Sequence, residues 1–333
     1  MSNANNVKNI NQSHAHNNTW GEYRVWAATA RRIKTTLQSC RRVVLYLTLF
    51  SAAVGAFAEQ YPKIAGQLKP WLGGHIIADW VQPVLGCIAG LAIAIAGIIM
   101  QRLASRRNQE EQVRARSTAE ALKSQTYLYV TGTPPYDADD PQTRLYDETD
   151  QLVQQVEKEI ISEVLSDEKR LKRRPEYPMP VETYIKQRVE NQIQWYRRST
   201  TEHGKKVKQA QYWSIVFAIA GFILSGLSGL SGISPQWGWL GLMPGWIPVI
   251  GAFSAAMASH FYAERHEYLQ LSYRATGRRL TRLLERFTNR EDSTSRRTFI
   301  TNCENTISIE NQSWMAELLE DKDMPATDTD PNA

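Results

Sequence analysis

One long stretch of this 333-residue sequence lacks charge, because residues 209–263 contain no Asp, Glu, Lys or Arg. With 22% charged residues overall, a segment of that length should hold about a dozen. The average composition, 42% hydrophobic with a net charge of +5, looks soluble only because apolar blocks alternate with charged segments. This segregation is typical of a membrane protein with large aqueous parts, and it excludes a wholly soluble enzyme as the default.

Cysteine is scarce, and the common catalytic motifs are missing. Cys40, Cys87 and Cys303 lie far apart in the sequence, so we draw neither a disulfide framework nor a CxxC metal site. We find no Walker A loop, no HExxH motif and no set of nucleophile, base and cofactor loop. We therefore expect no enzyme activity, no cofactor and no metal. The basic clusters lack interleaved aromatic residues, so we also expect no nucleic acid partner.

Two groups of histidines are weak candidates for metal ligands. His14 and His16 have no third ligand nearby, and a flexible N-terminal tail explains them better. His260, Glu264 and His266 cluster beside the last apolar block but lack metal spacing and a third ligand. His260 is either an interfacial residue or a gate element, and its position within a turn of Glu264 favours the interface.

Four apolar blocks stand out, at about residues 43–59, 81–100, 212–232 and 246–263. At about 1.5 Å per residue, and with their flanks, they can cross a hydrocarbon core of roughly 30 Å. The alternative is that the first two blocks form a buried hairpin of a soluble helical domain, but both are apolar on every face. We predict an all-α integral membrane protein with two transmembrane helical hairpins and long cytoplasmic helices that form a bundle.

The basic residues predict the orientation in the membrane. The four segments that flank the hairpins hold 21 Lys and Arg, whereas the loops at 59–83 and 233–245 together hold 2. By the positive-inside rule, the N-terminus, the central segment and the C-terminus are cytoplasmic. The two short loops are then external.

An internal repeat organises the chain. The second block is followed by Arg116-Ser-Thr118-Ala-Glu-Ala-Leu122 and the fourth by Arg274-Ala-Thr276-Gly-Arg-Arg-Leu280, and a basic amphipathic helix precedes each hairpin. The first of these helices contains Trp20, and the second contains Tyr184. We predict a disordered N-terminus at 1–19, a first unit at 20–130, a linker at 131–181 with a helix at about 145–172, a second unit at 182–322, and a disordered tail at 323–333.

Small residues recur at four-residue spacing in three of the four blocks, which lets helix backbones approach closely in lipid. These residues are Gly86, Gly90, Ala94, Gly221, Ser225, Gly229, Gly251, Ala255 and Ser259. They fit packing inside one four-helix unit and equally a symmetric oligomer with helices around a pore. A separate apolar stripe follows the last block, and we expect it to couple the cytoplasmic bundle to a pore. Its members are Phe299, Cys303, Ile307, Trp314 and Leu318.

The second unit resembles the SLATT family, which comprises bacterial two-transmembrane effector domains found beside SMODS nucleotidyltransferases and SLOG nucleotide sensors. The residues that carry the resemblance are Tyr184-Ile-Lys-Gln-Arg188, Trp195-Tyr-Arg-Arg198, Tyr273-Arg-Ala-Thr276, Cys303-Glu304, Glu310-Asn311 and Trp314. The first unit looks like a diverged copy, marked by Trp20-Gly-Glu-Tyr-Arg24 and by Arg116 to Leu122.

The resemblance implies a multi-pass effector in the bacterial inner membrane, without catalytic residues. Its implied activity is an oligomeric pore or membrane disruption in nucleotide-linked antiphage defence. The implied partners are the lipid bilayer, further copies of the chain, and a cytoplasmic nucleotide-sensing or nucleotidyltransferase protein. The alternative is a non-conducting scaffold that recruits a soluble sensor or enzyme. A small transporter is disfavoured because no charged residue lies in the middle of a membrane block.

We expect a fusion reporter within residues 233–245 to read as external, and reporters at Thr131 and Ala333 to read as cytoplasmic. The reason is the bias of 21 basic residues against 2, which usually sets orientation. Paired fusions to alkaline phosphatase and green fluorescent protein measure this. A cytoplasmic signal from 233–245 would overturn the four-helix topology.

Overall fold

The computed structural model describes residues 2–72, 80–103, 106–230, 242–263, 265–288 and 293–320. Within these residues all regular structure is helical. The helices are α1 (Ser2–Leu72), α2 (Val81–Leu103), α3 (Arg106–Val130), α4 (Pro141–Glu157), α5 (Asp167–Leu171), α6 (Val181–Tyr184), α7 (Asn191–Leu230), α8 (Ile247–Ala263), α9 (His266–Thr288) and α10 (Ser293–Glu320). A π-helical segment, Ile185–Glu190, joins α6 to α7.

Four of these helices, α1, α2, α7 and α8, are long and apolar enough to cross a membrane. Their most apolar windows have mean hydropathies between 1.4 and 2.4 and are largely exposed within the chain. Hydrocarbon offers no hydrogen-bond partners, but a helix pairs its backbone N–H and C=O groups with each other. The chain is therefore an all-α membrane protein.

The chain divides into two compact units. The first, which we call the membrane unit, comprises Thr36–Ser105 and Thr201–Leu269 and contains the four apolar blocks. The second, which we call the helical unit, comprises Met1–Thr35, Arg106–Thr200 and Gln270–Ala333.

Close contacts in the membrane unit involve small and aromatic residues. The Ser51 hydroxyl on α1 donates to the Ala89 carbonyl on α2 at 2.8 Å. Phe217 on α7 meets Phe253 on α8 edge to face, with ring centroids 6.3 Å apart. These contacts hold α1 against α2 and α7 against α8.

Gly245 lies at a close approach between the two helix pairs. It lies in the helical turn before α8, and a Cβ atom at this position would collide with the side-chain amide of Gln60 near the end of the first block. Gln60 itself is buried. Only glycine leaves room for this contact, so a larger residue at 245 would force the backbone or Gln60 to move.

The helical unit has an apolar core between α1, α3 and α4. Its members are Trp26, Ala30, Ala115, Ala119, Leu122, Val153, Val156 and Ile160. Small alanines from two helices surround the indole of Trp26, which is fully buried. Near this core, the hydroxyls of Thr19 and Thr149 share a hydrogen bond of 2.8 Å.

The helix predicted at about 145–172 is divided in the structure. α4 begins after Asp140, whose carboxylate accepts a hydrogen bond from the Thr143 amide at 3.3 Å, and ends at Glu157. Residues 160–166 have no regular structure, because their backbone bonds to α1 instead. The Ile161 carbonyl accepts from Arg32 at 3.0 Å, and the Glu163 amide donates to the Thr29 hydroxyl at 2.8 Å. These tertiary hydrogen bonds outweigh the helical periodicity.

The N-terminus also departs from the sequence-based prediction of disorder at 1–19. α1 begins at Ser2, and Ala15, His16 and Thr19 are buried. The polar composition was misleading because Thr19 uses its hydroxyl inside the unit. α1 also continues to Leu72, beyond the predicted end of the first block at 59. The predicted tail at 323–333 lies outside the described residues.

We expect Trp26→Ala to lower the free energy of unfolding by about 3–5 kcal/mol, because it leaves a large cavity in the core. Thermal or denaturant unfolding of the detergent-solubilised protein measures the loss. Trp80→Ala is the matched control, since Trp80 is 65% exposed. Equal destabilisation by the two variants would contradict the assigned core.

Candidate functional site

A buried charged site forms around the π-helical segment Ile185–Glu190. A π turn is wider than an α turn, is rare in proteins, and is frequent at functional sites. Here it follows Tyr184 and contains Arg188 and Val189, and all three side chains are buried. The sequence therefore places an arginine in a position that an apolar side chain would normally occupy.

Arg188 forms a two-pronged ion pair with Glu304 on α10. Its Nε donates to Glu304 Oε1 at 2.9 Å and its Nη2 donates to Oε2 at 2.8 Å. The two side chains are only 1% and 2% exposed. The Tyr184 hydroxyl donates a third hydrogen bond to Glu304 Oε1, at 2.9 Å. Charge-assisted bonds of this geometry are strong and directional, and they offset part of the cost of removing both charges from water.

Tyr127 on α3 completes the surroundings of the guanidinium. The Arg188 Cζ lies 4.9 Å from the centroid of the Tyr127 ring, within the range of a cation–π contact. The same ring meets Tyr184 edge to face at 5.9 Å. Burial raises the pKa of Tyr127 to about 12, so its hydroxyl keeps its proton at neutral pH. Arg188 thus connects α3, the π segment and α10.

A second carboxylate on α3, that of Glu120, contributes to the electrostatics of this site. Burial opposes its ionisation, but the positive charges of Lys123, Arg188 and Arg116 nonetheless lower its pKa. Within the part of the chain that the structure describes, Glu120 Oε2 and Arg188 Nη1 are buried atoms without a hydrogen-bond partner. Arg188 therefore interacts electrostatically with two carboxylates while forming hydrogen bonds with only one of them.

Cys303 lies next to Glu304 and is fully buried. Burial, followed by the negative charge of Glu304, raises the pKa of its thiol well above the usual range. The thiol form is a poor nucleophile and a poor metal ligand. The site therefore holds charges in place and offers no activated nucleophile at Cys303.

Aromatic side chains bring α7 and α9 together beside this site. Trp195 and Tyr196 both pack against Tyr273, with ring centroids 5.1 and 5.8 Å from it. A Cβ atom on Gly277 would lie 3.2 Å from Tyr196 Cβ, so glycine lets the two helices approach closely. Some residues of the SLATT resemblance that are distant in sequence therefore meet within the helical unit: Tyr184 and Arg188 contact Glu304, and Trp195 and Tyr196 contact Tyr273.

The predicted coupling stripe on α10 lies partly on this buried face. Phe299, Cys303 and Ile307 are all buried, and Phe299 stacks on Phe287 of α9 with ring centroids 4.3 Å apart. Trp314 and Leu318 belong to the same helix, but their side chains lie outside the described part of the structure. A role of this stripe in coupling stays a prediction.

The predicted small-residue positions in α2 face away from the contacts within the chain. Gly86, Gly90 and Ala94 are exposed, whereas the buried residues of this helix are Ala89, Ala92 and Ala96. A Cβ atom on Gly86 or Gly90 would meet no atom within 4 Å. α2 therefore has two faces of small residues, one used within the chain and one open.

The same arrangement holds in α7 and α8. Gly221 is half-buried, and Ser225, Gly229, Gly251, Ala255 and Ser259 are exposed. A Cβ atom on Gly221, Gly229 or Gly251 would meet no atom within 4 Å. His260 lies in α8, and its side chain is outside the described part. Packing of these faces against another chain stays a prediction.

Sequence reasoning missed the pairing of Arg188 with Glu304, although both residues belong to the family resemblance. A partial signal was present at Glu304, because the buried Ile300 and Ile307 flank it on the same face of α10, but this pattern does not identify its partner. Arg24, which follows Trp20 by four residues as Arg188 follows Tyr184, is half-buried, and its Nε donates to the Lys169 carbonyl at 3.3 Å. The two arginines therefore have different surroundings.

Among the described residues, no group of three or more His, Cys, Asp or Glu side chains is placed to hold a metal ion.

Two family models match the chain. Residues 184–314 match SLATT_1, described as SMODS and SLOG-associating 2TM effector domain 1. Residues 15–144 match DUF4231, a protein family of unknown function. Each match includes one pair of apolar blocks. The comparisons with curated proteins and with solved structures found no significant match.

We expect Glu304→Leu to lower the free energy of unfolding by about 3–5 kcal/mol, because it leaves the Arg188 charge buried without its partner. The double variant Arg188→Met/Glu304→Leu should lose much less, since it removes both charges. Denaturant unfolding in detergent measures both values. Arg297→Gln is a control, because the Arg297–Asp137 pair is exposed and worth only about 0–1 kcal/mol. A double variant as unstable as the single one would refute this assignment.

Proposed function

We propose that this chain, which contains a SLATT domain at residues 184–314, is a membrane effector that assembles from several copies and permeabilises the bacterial inner membrane. The family description supports the effector role, since it names a two-transmembrane effector domain associated with SMODS and SLOG proteins. The four apolar helices support the location in a membrane. The setting that fits best is a nucleotide-linked antiphage defence system, with both termini in the cytoplasm.

The main support for association between copies is the open face of small residues on α2, α7 and α8. Apolar side chains gain little on moving from lipid to another helix, so helix association in a bilayer depends on close backbone approach. Gly90, Gly221 and Gly251 each have free space around their Cα atoms within the chain. A helix from a second copy can bring its backbone close to these glycines in that space.

A pore enclosed by helices packed through these faces would have an uncharged surface with a few polar groups close to it. Ser225 and Ser259 lie on the open faces, and His260 follows Ser259 directly. Residues 209–263 contain no charged side chain. Without a ring of fixed charge, such a pore would discriminate between ions only by their size and hydration. It would therefore be less selective than a channel with a charged filter.

The helical unit is the part we assign to signal reception. Its buried pair of Arg188 and Glu304 lies beside Glu120, a second carboxylate influenced by the same guanidinium. A signal protein or nucleotide that altered this balance would favour one arrangement of the unit over another. A nucleotide-sensing or nucleotidyltransferase protein is the partner that the family description suggests.

We expect overexpression of the parent protein to depolarise bacterial cells and halt growth, and Gly221→Ile to reduce the depolarisation about tenfold. The branched side chain should weaken the association free energy between copies by about 1.4 kcal/mol, which lowers the association constant tenfold. A membrane-potential dye and growth curves measure the effect. Gly226→Ile is the matched control, because Gly226 is also open but lies about 140° around the same helix.

Equal effects of the two variants would point to a general disturbance of α7 instead of an interface on one face. A parent protein that causes no depolarisation, even with the proteins encoded beside it, would favour the non-conducting scaffold.

A further inference from the structure

Two histidines meet at the junction between α8 and α9. His266 is the first residue of α9, and the chain turns into it through Arg265, which has a positive φ of 46°. His203 comes from α7, 63 residues earlier in the sequence. The two Nδ1 atoms lie 2.9 Å apart, and the ring centroids lie 4.9 Å apart. His266 is buried and His203 is half-buried, so the fold holds both rings in place.

The two Nδ1 atoms face one another, and only one proton fits between them. One neutral imidazole then donates through Nδ1 and the other accepts. A metal ion beside the line that joins the two nitrogens, about 2.0–2.1 Å from each, would use both lone pairs once the shared proton moves to the Nε2 atom of its ring. Neutral imidazole is the commonest protein ligand for divalent transition metals.

The spacing of the nitrogens distinguishes between coordination geometries. With metal–nitrogen bonds of about 2.0–2.1 Å, two neighbouring ligands of a square-planar ion lie about 2.9 Å apart. Two ligands of a tetrahedral ion lie about 3.3 Å apart at the same bond length. The observed separation of 2.9 Å therefore fits the square-planar or tetragonal geometry of Cu²⁺ and Ni²⁺. Zn²⁺ would need the rings to separate by about 0.4 Å.

We propose that His203 and His266 form a two-imidazole site for a late first-row divalent metal ion, with Cu²⁺ and Ni²⁺ preferred over Zn²⁺. Water completes the coordination of the ion. The ion ties α7 to the start of α9 within the membrane unit. The sequence suggested no metal here because His266 was considered with its neighbours His260 and Glu264, whereas the fold supplies His203. The site does not depend on the proposed permeabilisation.

The experiment uses the full chain in detergent, purified without a histidine tag and titrated with Cu²⁺. Electron paramagnetic resonance is expected to show one copper per chain with hyperfine coupling to two nitrogens. His203→Asn and His266→Asn should each weaken binding at least about tenfold, since even the loss of an outer-shell partner costs 10- to 100-fold. His14→Asn is the control, because His14 is exposed and is not part of the pair. Thermal unfolding of each variant confirms that it is folded.

Three outcomes would overturn the proposal. The first is copper binding that survives both pair variants, and the second is binding that His14→Asn removes. The third is Zn²⁺ displacing Ni²⁺ from the site, which would contradict the geometry inferred from the nitrogen spacing. Because the readout is a spectrum of the bound ion, a protein that binds copper but does not permeabilise membranes would still support the site.

Discussion

Hydrocarbon offers the backbone no hydrogen-bond partner, and most of the membrane unit follows from that constraint. Each crossing segment must be a helix, and charged side chains are absent from residues 209–263. Hydrophobicity cannot then select which helices associate, since lipid tails are as apolar as the side chains that leave them. Shape makes that selection instead. In α2, one small face, with Ala89 and Ala96, packs within the chain, and a second face, with Gly86 and Gly90, stays open.

The helical unit differs from the membrane unit, because it buries charged side chains as well as apolar ones. Arg188 and Glu304 belong to the region matched by the SLATT model, whereas Tyr127 and Glu120 belong to the DUF4231 match. The buried site therefore joins the two regions of the chain that match different family models. A buried pair adds little net stability compared with apolar residues of similar volume, but loss of one partner is costly. This asymmetry makes the site sensitive to small changes while keeping one arrangement well defined.

The sequence was informative where a single physical effect dominated. The apolar blocks located all four helices that are long and apolar enough to cross a membrane, and the family resemblance identified the SLATT region. The prediction of a helix through 160–166 was wrong. The apolar spacing continues there, but the backbone forms hydrogen bonds with Thr29 and Arg32 of α1 instead of helical ones. Val164, which stands four residues after Ile160 and continues that spacing, is 95% exposed. The pairing of Arg188 with Glu304 joins residues 116 positions apart, and nothing local in a single sequence specifies such a partner. The same holds for His203 and His266.

The contact of Gln60 with Gly245 has a consequence for how the protein responds to its own abundance. Both residues belong to one chain, so the meeting of the two helix pairs is intramolecular, and dilution in the bilayer does not separate them. Two chains with one pair each would have to find each other at a rate set by their surface density. Having both helix pairs in one chain removes that dependence for their encounter. Even a single copy in the membrane therefore already holds four helices together.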